Sequence, residues 1–353
     1  MELRLASIGY GNVGRAVARM LADKADELQR RYDVWFRYTG IYTRSAGPEI
    51  MPEGMAPAQV VAAGLPMGDR VTGGSRPLSD ALTFIRTCPG DVVLELSTLN
   101  PQSGQPAIEH VSAALEAGKH VVTANKGPIA YAYRELRELA GRQGVALRFE
   151  STVMDGTPIF SMVEASLPAT LITGFRGLLN STSNYVLDRM AKGDSLEAAT
   201  AGAQRLGVAE ADPSNDLNGW DAAVKATVLA NVLMGADMRP SDVVREGLGA
   251  DAMLQRHGAL LPGQALKQVV DAVHTVTGGV QAHVRLEALP PDDPFAHLSG
   301  NETALLLHTD TMQDLTLIEG QGDPGQTAFG VVADLVNIAR GRGRDVPRPY
   351  DAV

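Results

Sequence analysis

Two stretches of the chain carry residue types that could do chemistry. Around the start of the apolar run at Ala222, the sequence gathers Glu210, Asp212, Asp216, Asp221 and Lys225. A second lysine, Lys126, closes Thr123-Ala124-Asn125-Lys126, directly after a strand-like run. That is the carboxyl end of a strand, where open α/β sheets bind ligands. An amine can pass a proton to or from a hydroxyl when burial or a neighbouring cation lowers its pKa. Carboxylates nearby suit the ammonium group of a small substrate. Asp221 and Lys225 stand four apart and so share one helical face. Taken alone, that pair equally fits an exposed ion pair worth roughly a few tenths of a kcal/mol, and a lysine after a strand is often only a surface residue.

The other stretch is Gly9-Tyr10-Gly11-Asn12-Val13-Gly14, which fits G-x-G-x-x-G. The pattern alone is weak. Here it sits between a strand (Leu3 to Ile8) and an apolar helix (Val13 to Leu21), the context that makes it a dinucleotide site. Gly9 allows the tight turn, Gly11 lets backbone approach the pyrophosphate, and Gly14 permits close helix packing. The helix start, with Asn12 and Val13, offers unpaired N–H groups and a positive dipole end to phosphate. After the second strand an NAD site usually carries an acid for the ribose 2′-hydroxyl. This chain instead reads Gly40-Ile41-Tyr42-Thr43-Arg44-Ser45. Arg44 could pair with a 2′-phosphate, or be a solvated surface arginine. NADP is favoured and NAD stays possible. Ser97 and Thr98, just beyond the run Val92 to Leu96, join the cofactor set.

These residues need elements to hold them. Strand-like runs at Leu3 to Ile8, Trp35 to Tyr42, Val92 to Leu96, His120 to Thr123 and Ala146 to Phe149 alternate with helical segments at Val13 to Leu21, Pro106 to Ala117 and Tyr131 to Gln143. That alternation predicts an α/β, doubly wound parallel sheet. After Glu150 the pattern becomes α+β. Helices are expected at Ser195 to Leu206 and Asp221 to Met234, strands at Leu171 to Leu178, Val280 to Leu286 and Ala304 to Thr309. A late helix is expected at Val331 to Ala339, and a surface tail from Gly341-Arg342-Gly343-Arg344 onward. The reading divides the chain into a nucleotide domain over 1–150, a catalytic and dimerisation domain over 151–310, and a return to the nucleotide domain over 311–345.

Composition narrows the classes. With 353 residues, 44% of them hydrophobic, the chain can bury the cores of about two domains. A net charge of −10 argues against nucleic-acid binding, and no polybasic run or uninterrupted apolar span points to a membrane. The start of the chain lacks signal-peptide order, and the single cysteine, Cys88, reads as a passive thiol. The expected setting is cytoplasmic. The seven histidines show no metal-ligand spacing such as H-x-x-x-H, which disfavours a metal hydrolase.

Lys119-His120-Val121-Val122-Thr123-Ala124-Asn125-Lys126-Gly127-Pro128, the run Gly177-Leu178-Leu179-Asn180-Ser181-Thr182-Ser183-Asn184-Tyr185, and the block from Glu210 to Lys225 together resemble the homoserine dehydrogenase family. The resemblance extends from Gly9 to about Ala339. It implies a Rossmann nucleotide domain, a substrate domain that also forms a homodimer interface, and interconversion of L-homoserine and L-aspartate 4-semialdehyde on the route to threonine and methionine. By similarity Glu210 and Asp221 bind substrate, with Asp216 and Thr182 lining the same pocket. Lys225 donates or accepts the proton, and Lys126 assists at the reacting oxygen. The loop Gly320 to Thr327, Gly322 included, resembles the family's late cofactor loop. Glu150 and the carbonyls of Val153, Asp155 and Thr157 would form a monovalent-cation site. Met154 and Asp155 occupy usually small positions there, so Asp155 either adds a carboxylate or sits in a turn that tolerates it. With the chain ending after the Val331 helix, the resemblance leads to the expectation of a short form without a regulatory domain. Two other readings are weighed: a dehydrogenase of another short hydroxy amino acid, and a non-catalytic NADP-binding sensor.

Overall fold

The β-branched runs at the start of the chain become strands because they can be buried on both faces of a parallel sheet. β1 (Glu2–Ile8) is buried throughout from Leu5, and all four residues of β4 (Val92–Glu95) are buried. With β2 (Trp35–Thr43), β3 (Gly47–Met55), β5 (His120–Thr123) and β6 (Leu147–Arg148) they form one sheet in the order β3-β2-β1-β4-β5-β6. Every pairing is parallel except that of β3, which returns antiparallel to β2. This edge strand was not among the expected strands of the doubly wound sheet. Pro48, Glu49, Pro52 and Glu53 hide it in the sequence, since prolines are tolerated only where a strand edge needs no ladder donor.

The computed structural model describes residues 1–64, 78–249 and 260–341. They fall into two units, Met1–Ser166 with residues 323–341, and Leu167–Gly322. Residues 151–166 thus group with the first unit and 311–322 with the second. Arg342 and the rest of the expected tail lie outside the described residues. In the first unit the helix Asn12–Asp23 packs on the late helix Pro324–Ala339, and Val17 and Leu21 share a core with Val331 and Leu335. Cys88 is buried near the Thr39 hydroxyl, and burial raises its thiol pKa.

The second unit has a six-stranded sheet of β7 (Ile172–Leu178), β8 (Val244–Arg245), β9 (Ala265–His274), β10 (Val280–Leu289), β11 (Thr303–Thr309) and β12 (Gln313–Glu319). Its order is β12-β11-β7-β9-β10-β8, antiparallel but for β8 beside β10. The helix Trp220–Leu233 lies on β9 and β10 and buries every residue from Ala226 to Asn231, which explains why it is apolar all round. The helix Ser181–Ala191 was not anticipated, because it opens on the polar run Ser181-Thr182-Ser183-Asn184. Among the described residues no helix is long and apolar enough to cross a membrane.

Candidate active site

At the point where strand order reverses between β1 and β4, the glycine turn opens a cavity of about 530 Å³. Gly9 has φ +92°, and a Cβ there would stand 2.4 Å from the Leu96 carbonyl oxygen. Its N–H donates to the Tyr42 carbonyl at 2.8 Å, tying the turn to the end of β2. Around a Cβ on Gly11 there would be only open space, so the backbone itself faces the cavity. Asn12 and Val13 open the helix that follows. Its N-terminus has no side-chain cap and no acid in the first turn. The site fits a pyrophosphate: bare amides, a dipole end and no competing carboxylate. Gly14 packs against Gly9 and Tyr10. Arg44 is exposed on the turn between β2 and β3 and lines the same cavity, as do Ser97 and Thr98.

Behind this wall lies a network that sequence reasoning missed. Glu95 is fully buried at the end of β4. The Ser97 hydroxyl donates to its Oε1, and His110 Nδ1 lies 3.2 Å from the same oxygen. Thr123 Oγ1 donates to the Glu95 carbonyl at 3.0 Å and accepts from the Asn125 N–H at 3.0 Å. Asn125 then donates through Nδ2 to the Ser97 carbonyl at 3.1 Å, while its Oδ1 accepts from Gly127 N–H at 2.9 Å. Asn125 therefore caps the helix Lys126–Gln143, and the half-buried Lys126 is its first residue. The one sequence signal was a carboxylate inside the apolar run Val92-Val93-Leu94-Glu95-Leu96.

In the second unit the side chains of Asp216, Asp221 and Lys225 come together. Lys225 Nζ donates to the Leu179 carbonyl at 2.6 Å and lies 3.3 Å from Asp221 Oδ2. Neither side chain is exposed, at 14% and 16%, so this pair is not the solvated surface pair that spacing alone allowed. Asn180 Nδ2 donates to Asp216 Oδ1 at 2.8 Å and to Asp221 Oδ2 at 3.0 Å. Burial, then the nearby Asp221 charge, raises the Asp216 pKa, while bonds from Asn180 and Thr182 and the Lys225 charge oppose that rise. Thr182 Oγ1 also donates to the Val208 carbonyl at 3.1 Å. Glu210 stands apart from this hydrogen-bonded group, on an exposed turn whose carbonyl accepts from Gln204. Gly322 ends the second unit, its carbonyl accepting from Asn301 Nδ2 at 3.3 Å.

Both carboxylates at the expected monovalent-cation site, those of Glu150 and Asp155, have protein partners. Glu150 Oε1 and Oε2 accept from the N–H groups of Phe160 and Ser161 at 2.7 and 2.8 Å, so the carboxylate caps the helix Ile159–Ser166. Burial raises its pKa. The Thr157 carbonyl accepts from Ile159 N–H, and buried Val153 ends the short turn begun by Glu150. Asp155 has φ +37° and accepts from Thr327 Oγ1 at 2.7 Å, which is the tight-turn alternative of the two considered. Among the described residues no group of three or more His, Cys, Asp or Glu side chains could hold a metal ion.

Comparison with known proteins agrees with this geometry. The profile described as "Homoserine dehydrogenase, NAD binding domain" matches residues 9–150, and that described as "Homoserine dehydrogenase" matches residues 158–336. The chain is 33% identical to the NAD(+)-dependent homoserine dehydrogenase of Pseudomonas canavaninivorans over 96% of both chains. Its fold is similar to the homoserine dehydrogenase of Thermoplasma acidophilum (TM-score 0.80, 25% identity, 96% of this chain and 100% of that one). It is also similar to a hyperthermophilic archaeal homoserine dehydrogenase solved in complex with NADPH (TM-score 0.77, 25% identity, 97% of this chain and 98% of that one). With both halves of its length matched and near-complete coverage of its relatives, the chain belongs to the homoserine dehydrogenase family.

Proposed function

We propose that this chain interconverts L-homoserine and L-aspartate 4-semialdehyde, with NADP as the preferred hydride carrier and NAD as a weaker one. The observation that carries this reading is the half-buried Asp221–Lys225 pair, held to the Leu179 carbonyl and neighboured by Asp216. An ammonium has three donors. Two of those on Lys225 point at Leu179 and Asp221, which leaves the third for a reacting oxygen. As the neutral amine, with its lone pair in that third place, Lys225 takes the hydroxyl proton when the alcohol is oxidised, and as the ammonium it returns the proton when the aldehyde is reduced. Asp221 keeps the amine oriented, and Glu210, Asp216 and Thr182 serve the polar groups of the amino acid. Lys126, at the capped start of its helix in the other unit, is the second candidate acid–base group.

When bound, the dinucleotide supplies or accepts the hydride. Gly9, Gly11, Gly14 and the amides from Asn12 and Val13 would hold its pyrophosphate, with Ser97 and Thr98 completing the cofactor contacts. Arg44 at the cavity rim would take a 2′-phosphate. Glu150 caps a helix and the Asp155 carboxylate accepts from Thr327, so a monovalent cation here would rest chiefly on the backbone carbonyls of Val153, Asp155 and Thr157. The enzyme is read as a cytoplasmic homodimer, which sedimentation would test. The direct experiment follows NADPH absorbance with aspartate semialdehyde, and NADP reduction with homoserine beside a panel of other short amino alcohols. Homoserine should be the best alcohol, and failure in both directions would overturn the reading.

A further inference from the structure

Asn180 lies in the same run as Thr182 but has no assigned role, although it hydrogen-bonds both acids of the cluster. It is buried, at 6% exposure. Its Oδ1 accepts from Ser183 N–H at 2.7 Å and from Ser183 Oγ at 2.8 Å, capping the helix Ser181–Ala191. Its two amide hydrogens go elsewhere, one to Asp216 Oδ1 and one to Asp221 Oδ2. The preceding carbonyl, that of Leu179, accepts from Lys225. One dipeptide thus fixes an amine through its backbone and two acids through one side chain.

We propose that Asn180 is a positioning residue that sets Asp216 and Asp221 for substrate and, through Asp221, aims Lys225. The inference rests on the function proposed above. Asp216 and Asp221 repel one another, and two carboxylates sharing a site would otherwise take up a proton or move apart. An amide with two donors at a fixed angle neutralises nothing but gives each acid its own hydrogen. It holds both ionised oxygens at one edge while the Asp221 oxygen it binds also faces Lys225. The helix cap locks the amide plane, because rotating it would exchange donor for acceptor and lose Ser183.

The competing explanation is that Asn180 only caps a helix. Asparagine, aspartate and serine are comparably good caps, so they separate the two roles. Asn180→Ser keeps an acceptor for Ser183 and replaces the two amide donors to the acids with a single hydroxyl on a shorter side chain, adding no charge. Asn180→Asp keeps the cap and turns the donors into a third carboxylate. The experiment measures kcat and KM for homoserine, NADP affinity by titration and Tm, for wild type and both variants. Loss of hydrogen bonds to charged groups should lower kcat/KM about 10- to 100-fold in Asn180→Ser, and more in Asn180→Asp, with NADP affinity unchanged. The loss should include kcat, because Lys225 is mis-aimed, and not KM alone. Asn180→Ser decides if Asn180→Asp fails to fold. A folded Asn180→Ser enzyme with wild-type kcat/KM overturns the proposal, as does a lowered Tm with unchanged activity of the folded fraction. Inactivity of the wild type on homoserine would instead sink the proposed function.

Discussion

The dinucleotide cavity and the acid–lysine cluster are built from opposite materials. In the cavity the protein contributes backbone: bare amides at a helix start, and glycines whose missing side chains keep the space open. In the cluster it contributes mainly side chains, those of Asn180, Asp216, Asp221 and Lys225, with one backbone carbonyl, that of Leu179. A backbone site fails when an atom is added. A side-chain site fails when one is removed or exchanged, since a buried polar group left without its partner loses its full solvation.

The sharpest way to break this contrast is Lys225→Ala. A general acid–base group typically contributes about 10²–10⁴-fold, so turnover should fall by that much. Dinucleotide affinity should hold, because the cavity residues all belong to the other unit. Near-normal kcat in steady-state kinetics would remove Lys225 from the mechanism.

The glycine turn offers a paired test. Gly9→Ala must both abandon φ +92° and displace the Leu96 carbonyl, so it should lower Tm and weaken cofactor binding together. Gly11→Ala meets nothing in the protein, so Tm should stay while cofactor affinity falls. Thermal melts beside a cofactor titration read both, and equal Tm losses in the two variants would contradict the assignment of Gly11 to ligand approach.

At the cavity rim the effect should be smaller and selective. Arg44→Asp should weaken NADP by about tenfold or more and leave NAD little changed, as expected for a lost charge-assisted bond to a 2′-phosphate. Wild-type protein that binds both dinucleotides equally would exclude this role. The relative named for NAD(+) makes that measurement pointed.

The smallest effect concerns pH. Burial, followed by the Asp221 charge, holds the Asp216 carboxyl above the ordinary aspartate range. A group raised in the folded state contributes fully below its unfolded value, about 3.9, and loses that contribution as pH climbs through the folded one. Asp216→Asn should therefore flatten the decline of Tm with pH above about pH 4. Parallel curves for wild type and variant would show that Asp216 titrates alike in both states.

How much could be read without coordinates follows the same division. The strands at Leu3–Ile8 and His120–Thr123 and the glycine turn were legible because their causes are local: buried apolar runs, and turn geometry that only glycine permits. The strand Gly47–Met55 was not, since its prolines and glutamates satisfy no period and it exists by pairing with β2. The spacing of Asp221 and Lys225 put them on one face, but only the fold decided that the face is half-buried. Burial depends on what packs above a helix, and the helix's own residues do not state it. Residue types from Glu210 to Lys225 set which chemistry was available. Tertiary structure alone brought Asn180 to Asp216 and Asp221, and Glu95 to His110 and Thr123. Such partners are far apart in the chain, and hydrogen bonding between them is fixed by distances that no sequence period encodes.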